Sequence, residues 1–213
     1  MVNSERRTRR RLSTEDRREQ LLRVGVELIA TRPWDLLTMN DIAAAADVSK
    51  PLLYHYFADK SDLYLASVGA AAAQLREATL PDMSLEPRAR LRLALRVHIA
   101  WVEENALGYR AILQGGLSAD PRVQEIVELS RAETVHRIAG SLGLDVPPAE
   151  MRIALRGWVG FLEAACLDWL EFKDLASDRL VEVLAASLRG AISAASAPSR
   201  QGRAPAADIR ARR

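Results

Sequence analysis

The run Thr38-Met39-Asn40-Asp41-Ile42-Ala43-Ala44-Ala45-Ala46-Asp47-Val48-Ser49-Lys50-Pro51-Leu52-Leu53-Tyr54-His55-Tyr56-Phe57 decides how this chain is read. Thr38 can accept from a backbone N–H three residues on, where Asp41 can reach back to Thr38. The pair is a carboxylate variant of the capping box, and it opens a short helix. Ser49 opens another, with Pro51 in its first turn, where the missing N–H costs nothing. Between them, Asp47 falls where a tight turn calls for a left-handed backbone, which Asp tolerates better than most residues other than glycine. Ile42, Ala43, Ala46, Val48, Leu53 and Phe57 can share an inward face, and the small alanines let the two helices cross closely.

That leaves Lys50, Leu52, Tyr54, His55 and Tyr56 on the outside, with Lys60 just beyond. Of the chain's three lysines two are Lys50 and Lys60, and three of its four tyrosines lie between 54 and 64. Such a row is poor use of surface unless it touches something. Ammonium, phenol and imidazole groups donate to phosphate oxygens and base edges. A helix fits the DNA major groove, and in a helix-turn-helix the second helix reads bases from its N-terminal residues. A helical hairpin with a chance polar face is the alternative, and it leaves the row unexplained.

With its ending Tyr54-x-Tyr56-Phe57-x-x-Lys60-x-x-Leu63, this segment resembles the DNA-binding part of the TetR family of bacterial regulators over roughly residues 14–74. The resemblance implies that Thr38 and Asn40 contact DNA. It places Lys50, Leu52, Tyr54, His55 and Tyr56, with their cap Ser49, at recognition-helix contact positions, and Lys60 on phosphate. Two departures stand out. Asp47 replaces the common turn glycine, and Pro51-Leu52 replace a pair that is often small or hydroxylated. The second removes polar reach, so base reading is expected to rest on Lys50 and on contact of Leu52 with a thymine methyl.

The rest of the chain reads as helix. Alanine, leucine and arginine dominate and β-branched runs are scarce, so the fold class is all-α: a three-helix helix-turn-helix domain followed by a larger helical domain. Apolar spacing and capping residues predict helices over about 14–32, 38–46, 49–57, 59–79, 86–105, 107–114, 120–142, 147–172 and 178–196. The expected units are a basic arm (1–13), the DNA-binding domain (14–74), a regulatory and dimerisation domain (75–196) and a basic tail (197–213).

The formal net charge of +2 hides an asymmetry. Residues 1–11 and 197–213 each carry +4, which leaves −6 for residues 12–196. Affinity for a polyanion must therefore come from the local row and the Arg6–Arg11 arm, not from the acidic body. The single cysteine, Cys166, excludes an internal disulfide framework and a cysteine zinc site, and it fits a reducing cytoplasm. No apolar run is long enough to span a membrane, and no apolar segment follows the basic N-terminus as in a signal peptide.

In the larger domain the resemblance implies architecture only. Met151 to Phe172 is apolar nearly all round, and Gly157 and Gly160 allow a second backbone to approach. By resemblance, this helix and the last one pair with their copies in a homodimer, through Leu180, Val183, Leu184 and Leu188. Such a two-fold dimer suits a palindromic operator. Aromatic and placed polar residues mark His98, Trp101, Glu104, Tyr109, Trp158, Phe161, Cys166 and Trp169 as candidates for a pocket, with a small apolar or amphipathic effector as the partner.

Other classes fit less well. Glu133-x-x-His136 has the spacing of a di-iron ligand pair, but that site needs a second pair and two further glutamates, and the chain has only three histidines. No Gly-x-Ser-x-Gly elbow, phosphate loop or dinucleotide fingerprint occurs, so neither an enzyme, a metal site nor a cofactor is expected. The function expected is a DNA-binding regulator, most simply a repressor released by its ligand. An activator, or a repressor needing a co-ligand, remains the alternative of the same fold.

Overall fold

The computed structural model describes residues 13–114 and 120–197. The expected basic arm and basic tail fall almost wholly outside them. Among the described residues the chain forms nine α-helices, one 3-10 turn and no strand. The helices are α1 (Thr14–Thr31), α2 (Met39–Ala45), α3 (Lys50–Tyr56), α4 (Lys60–Ala78), α5 (Pro87–Glu104), α6 (Ala106–Gln114), α7 (Pro121–Ser141), α8 (Ala149–Phe172) and α9 (Ser177–Ser196). The all-α class read from the sequence is the one observed.

Local chemistry sets the helix starts. Ser13 and Asp16 form a capping box on α1, and Thr38 and Asp41 form one on α2. Single side-chain caps open α3 (Ser49), α4 (Asp59) and α7 (Asp120). Each is worth about 1 kcal/mol. α1 ends before Arg32-Pro33, where proline disfavours helix in the residue ahead of it. The 3-10 turn Trp34–Leu36 is too short to show in sequence periodicity. It buries Trp34, whose ring lies 5.2 Å from that of Tyr64.

Two apolar clusters form. Leu21, Ile29, Ile42, Leu53, Phe57 and Leu63 centre the first, and Val123 of α7 belongs to it, with Ile112 of α6 packed alongside. Leu95, Ile99, Leu155, Leu162, Cys166 and Leu184 centre the second. The first cluster therefore draws on helices far along the chain. α4 runs without a break past residue 74, where the sequence places a domain boundary, while α7 contributes Val123 to the first cluster and Ala139 to the second.

The last two helices correct one expectation. Leu180, Leu184 and Leu188 are 3%, 0% and 3% exposed within a single chain. They fill its own core against α8 and α5, so they are not free to meet a second copy; Val183 sits half-buried at their edge. The reason is geometric. α9 carries its leucines on one face and small residues on the other, and the chain uses the leucine face itself.

α1 and α4 approach closely because Gly25 lacks a side chain. A Cβ there would lie 2.1 Å from Ser67 Oγ, which is fully buried and donates to the Leu63 carbonyl at 2.7 Å. Gly25→Ala should therefore overpack this crossing and lower stability by about 1–3 kcal/mol in urea unfolding. Adding Ser67→Ala should recover part of the loss. Unchanged stability of the single variant would contradict the packing described.

Candidate nucleic-acid interface and effector cavity

The turn between α2 and α3 is built as its residues require. Asp47 takes a left-handed φ of 50°, and the Val48 N–H donates to the Ala43 carbonyl at 3.0 Å. Ala43 and Ala46 are buried at the crossing, and Leu53 and Phe57 root α3 in the core at 0% and 1% exposure. With that face fixed, Lys50, Tyr54 and His55 stand in solvent. Lys50 Nζ lies 5.9 Å from the Tyr54 ring centroid, and the His55 and Tyr56 rings meet edge to face at 5.2 Å.

Other members of the row are placed differently. Tyr56 is half-buried and packs against the first cluster, and Leu52 is also half-buried, so the outward row is narrower than the sequence suggests. Asn40 is exposed on the first turn of α2. Thr38 Oγ1 donates to Asp41 Oδ2 at 2.6 Å, and the same carboxylate oxygen accepts from the Thr38 N–H at 2.8 Å; these bonds hold the Asp41 carboxyl below its usual pKa. Ser49 Oγ accepts from the Leu52 N–H at 3.3 Å. Lys60 Nζ donates to the Asp35 carbonyl at 3.1 Å, so it ties α4 to the turn after α1. To grip phosphate it would exchange one oxygen for another.

The second feature is a cavity of about 420 Å³. It lies among α4, α5, α6, α7, α8 and α9, within the range usual for small-molecule sites. Leu75, Leu91, Leu95, Ile112 and Leu162 supply apolar wall. Four of the residues marked from sequence line it: His98, Trp101, Tyr109 and Trp158. Trp158 Nε1 donates to Ser187 Oγ at 3.0 Å and the Leu184 carbonyl at 3.2 Å, which anchors the indole to α9. Burial pushes His98 down to about 4, with the Arg137 charge adding to the effect, and pushes the Tyr109 hydroxyl well above its usual range.

The other four marked residues do not line the cavity. Glu104 is exposed as the last residue of α5, and Phe161 is turned outward at 43% exposure. Cys166 is packed in the second cluster. Trp169 closes the α8–α9 link: its Nε1 donates to the Leu175 carbonyl at 2.7 Å, and Lys173 Nζ lies 3.5 Å from the centroid of its ring system. An aromatic ring finds apolar contact almost anywhere in a helical domain, so ring content alone does not locate a cavity. Sequence reasoning also missed the arginines. Six of them, with two glutamates, line the cavity, and the signal available was Arg137 on the same inward stripe of α7 as Thr134, Ile138 and Ser141.

Comparison with known proteins places this arrangement. Residues 21–67 match the family model described as bacterial regulatory proteins, tetR family, and residues 87–189 match the tetracyclin repressor-like C-terminal domain. The chain belongs to the TetR family. It is a helix-turn-helix transcriptional regulator of that type. A TetR-family regulator of known structure from Streptomyces coelicolor is 27% identical, with a TM-score of 0.80 over 87% of this chain and 84% of that one. The transcriptional activator FasR of Mycolicibacterium smegmatis is 33% identical over 124 residues, 56% of each protein. An uncharacterised helix-turn-helix regulator of Mycobacterium tuberculosis is 28% identical over 180 residues, 79% of this chain and 74% of that one.

Among the described residues of this TetR-family chain, no helix is long and apolar enough to cross a membrane, and no three His, Cys, Asp or Glu side chains gather as for a metal ion. Glu133 of the Glu133-x-x-His136 pair is held by Arg76, whose Nη1 lies 3.0 Å from both carboxylate oxygens.

Burial pushes the Cys166 thiol up to about 12, with the Glu163 charge adding to it. The thiolate is the reactive form, so the native protein should resist iodoacetamide at pH 8 and alkylate only after denaturation. Rapid native labelling, read by mass spectrometry, would contradict the packing around α8. On the DNA side, Lys50→Ala should weaken binding to a selected operator roughly tenfold, and Leu52→Ala should relax preference at one base position. An unchanged consensus from a random-duplex selection would remove Leu52 from base reading.

Proposed function

We propose that this chain is a homodimeric, sequence-specific repressor that acts in the cytoplasm on a palindromic operator. A small apolar or amphipathic effector in the cavity releases it, and it has no enzymatic activity of its own. The observation that carries this reading is the position of α4. Leu63, Tyr64 and Val68 pack in the helix-turn-helix cluster, while Ala72, Leu75 and Arg76 line the cavity on the same helix. A ligand that prefers a different setting of α4 biases the spacing of the two recognition helices, by no more than its differential affinity for the two states.

The dimer face follows from what the chain leaves uncovered. Ile153, Gly157, Phe161, Ala164, Asp168 and Phe172 form an exposed stripe at helical spacing along α8. Ile153, Phe161 and Phe172 are 63%, 43% and 65% exposed, which is unusual for large apolar side chains gathered on one face. Ala186, Gly190 and Ser193 form a small-residue stripe along α9. A Cβ at Gly157, Gly160 or Gly190 would meet nothing within 4 Å, so those positions leave room for a second backbone. Two copies joined through α8 and α9 form a four-helix interface, and the two-fold axis must set the recognition helices about 34–36 Å apart, or a multiple of that, to fit half-sites on one face of DNA.

One relative supports a second reading. FasR is named an activator, and in an activator of this fold the effector-bound form would be the one that binds DNA. Gel shifts on a selected operator separate the two. The repressor reading expects protein stripped of any bound small molecule to bind tightly and to let go on adding effector; the activator reading expects the stripped protein to bind weakly. For the interface, Ile153→Arg with Phe161→Arg should give folded monomers in analytical ultracentrifugation. Intact dimers would overturn the α8 face.

A further inference from the structure

The cavity contains polar atoms that the fold buries and leaves unsatisfied. His98 Nε2 on α5 and Arg137 Nε on α7 are both buried without a hydrogen-bond partner, and both residues line the cavity. Buried donors and acceptors are rarely left so, and such an orphan calls for an explanation.

Among the described residues Arg137 has no carboxylate on it, unlike three other half-buried arginines. Arg92 pairs with Glu182, Arg110 with Glu171 and Arg131 with Glu163. The Nη1 of Arg137 instead donates to two neutral oxygens, the Arg76 carbonyl at 3.1 Å and Thr79 Oγ1 at 3.4 Å. Burial disfavours its charge; Glu133 offsets this in part, and the neighbouring Arg76 charge adds to it. Beside it, His98 is held neutral at pH 7. The surroundings do not supply the missing counter-ion. Of the two glutamates at the cavity, Glu133 is taken by Arg76 and Glu163 by Arg131. Arg88, Arg90, Arg137 and Arg189 line it without forming an ion pair among the described residues; Arg88 and Arg189 are exposed, and the bonds of Arg90 go to the carbonyls of Asp82, Met83 and Leu85. An apolar cavity with surplus guanidinium at its wall suits a ligand that brings both apolar surface and negative charge.

We propose that the effector is a small amphipathic anion, with its apolar part between Leu95, Trp101, Ile112 and Trp158 and its acidic head on Arg137 and His98. This deepens the effector reading above and rests on it. The head binds Arg137 by a charge-assisted hydrogen bond, and His98 Nε2 supplies a neutral contact. The Tyr109 hydroxyl, a third buried orphan, stands near the Arg131–Glu163 pair and offers a separate polar contact further along the ligand. The anion can come from a free carboxylate or from the phosphates of a carrier-linked acyl chain.

The test is calorimetric titration of the stripped full chain with straight-chain carboxylates from octanoate to tetradecanoate. The comparison ligands are alcohols, trimethylammonium salts and coenzyme A thioesters of the same chain lengths. At the best length the carboxylate should bind at least about tenfold tighter than the alcohol, and the ammonium salt not at all. Arg137→Gln should bring the carboxylate down to the level of the alcohol and leave the alcohol unchanged. Should Arg137→Gln fail to fold, the head-group series on the unaltered protein still decides. A thioester that outbinds the carboxylate with the same dependence on Arg137 assigns the anion to carrier phosphate and upholds the proposal. Equal binding of acid and alcohol, preference for the ammonium salt, or no binding by any of them overturns it. Operator binding measured on the same sample separates that outcome from failure of the regulator reading, because a regulator released by a neutral ligand would still hold DNA.

Discussion

One helix, rooted in the helix-turn-helix cluster and walling the cavity, constrains everything else in this molecule. α4 is 19 residues long, about 28 Å, and unbroken. Its first half is rooted in the helix-turn-helix cluster by Leu63 and Tyr64, and its second half forms cavity wall through Ala72 and Leu75. An α-helix does not shorten or fold to absorb a push, so a displacement at the cavity end reaches the DNA-binding end as tilt or translation. Three contacts hold the DNA-binding unit together and against the rest of the chain. Gly25 lets α1 lie against Ser67, Gly108 lets α6 lie against Ile29, and Arg122 Nη2 at the start of α7 donates to Ser61 Oγ at 3.0 Å. The DNA-binding unit is thus gripped by the same helices that enclose the cavity, which is the physical basis for linking the two sites.

Electrostatics divides the labour in a similar way. The described surface of α3 offers one full cation, Lys50, supported by the phenol of Tyr54 and the imidazole of His55. Against a body that carries −6 over residues 12–196, this row alone gives modest attraction to a polyanion, so the proposed operator affinity leans on geometry and on the arginines ahead of Ser13. Guanidinium groups recur at the cavity, where Arg90, Arg131 and Arg137 are half-buried and Arg76, Arg88 and Arg189 reach solvent at its rim. The chain has 30 basic residues and only three are lysines. Planar guanidinium groups tolerate such half-buried places better than ammonium, because they are more weakly hydrated.

Much of the fold was legible because helix ends are local. Ser13, Thr38 with Asp41, Ser49 and Asp120 each sit within three residues of the N–H they satisfy, and all four helices begin where those residues stand. The helix-turn-helix was legible for the same reason: its cap, turn and crossing alanines lie within twenty consecutive residues. What the sequence hid depends on partners far along the chain. α9 has an apolar face and a small-residue face, and nothing local says which one the monomer covers; the leucines went inward and the small residues stayed out. Tyr56 looked exposed because α3 has only seven residues, too few for periodicity to assign its last turn. The cavity is made by side chains from six helices, so aromatic content pointed to Phe161 and Trp169, which lie elsewhere, and passed over Arg137.

The central claim is that occupancy of the cavity is transmitted through α4 to the DNA-binding face. It can be tested without knowing the effector. Ala94 lines the cavity on α5, outside the helix-turn-helix cluster. Ala94→Trp fills the cavity with an indole that no ligand need supply. Operator affinity is then measured for this variant and the unaltered chain, with a crystal structure to place the indole. The account predicts that the folded variant binds the operator at least about tenfold more weakly, with every DNA-facing residue unchanged. An indole seated in the cavity with operator affinity undiminished would contradict it.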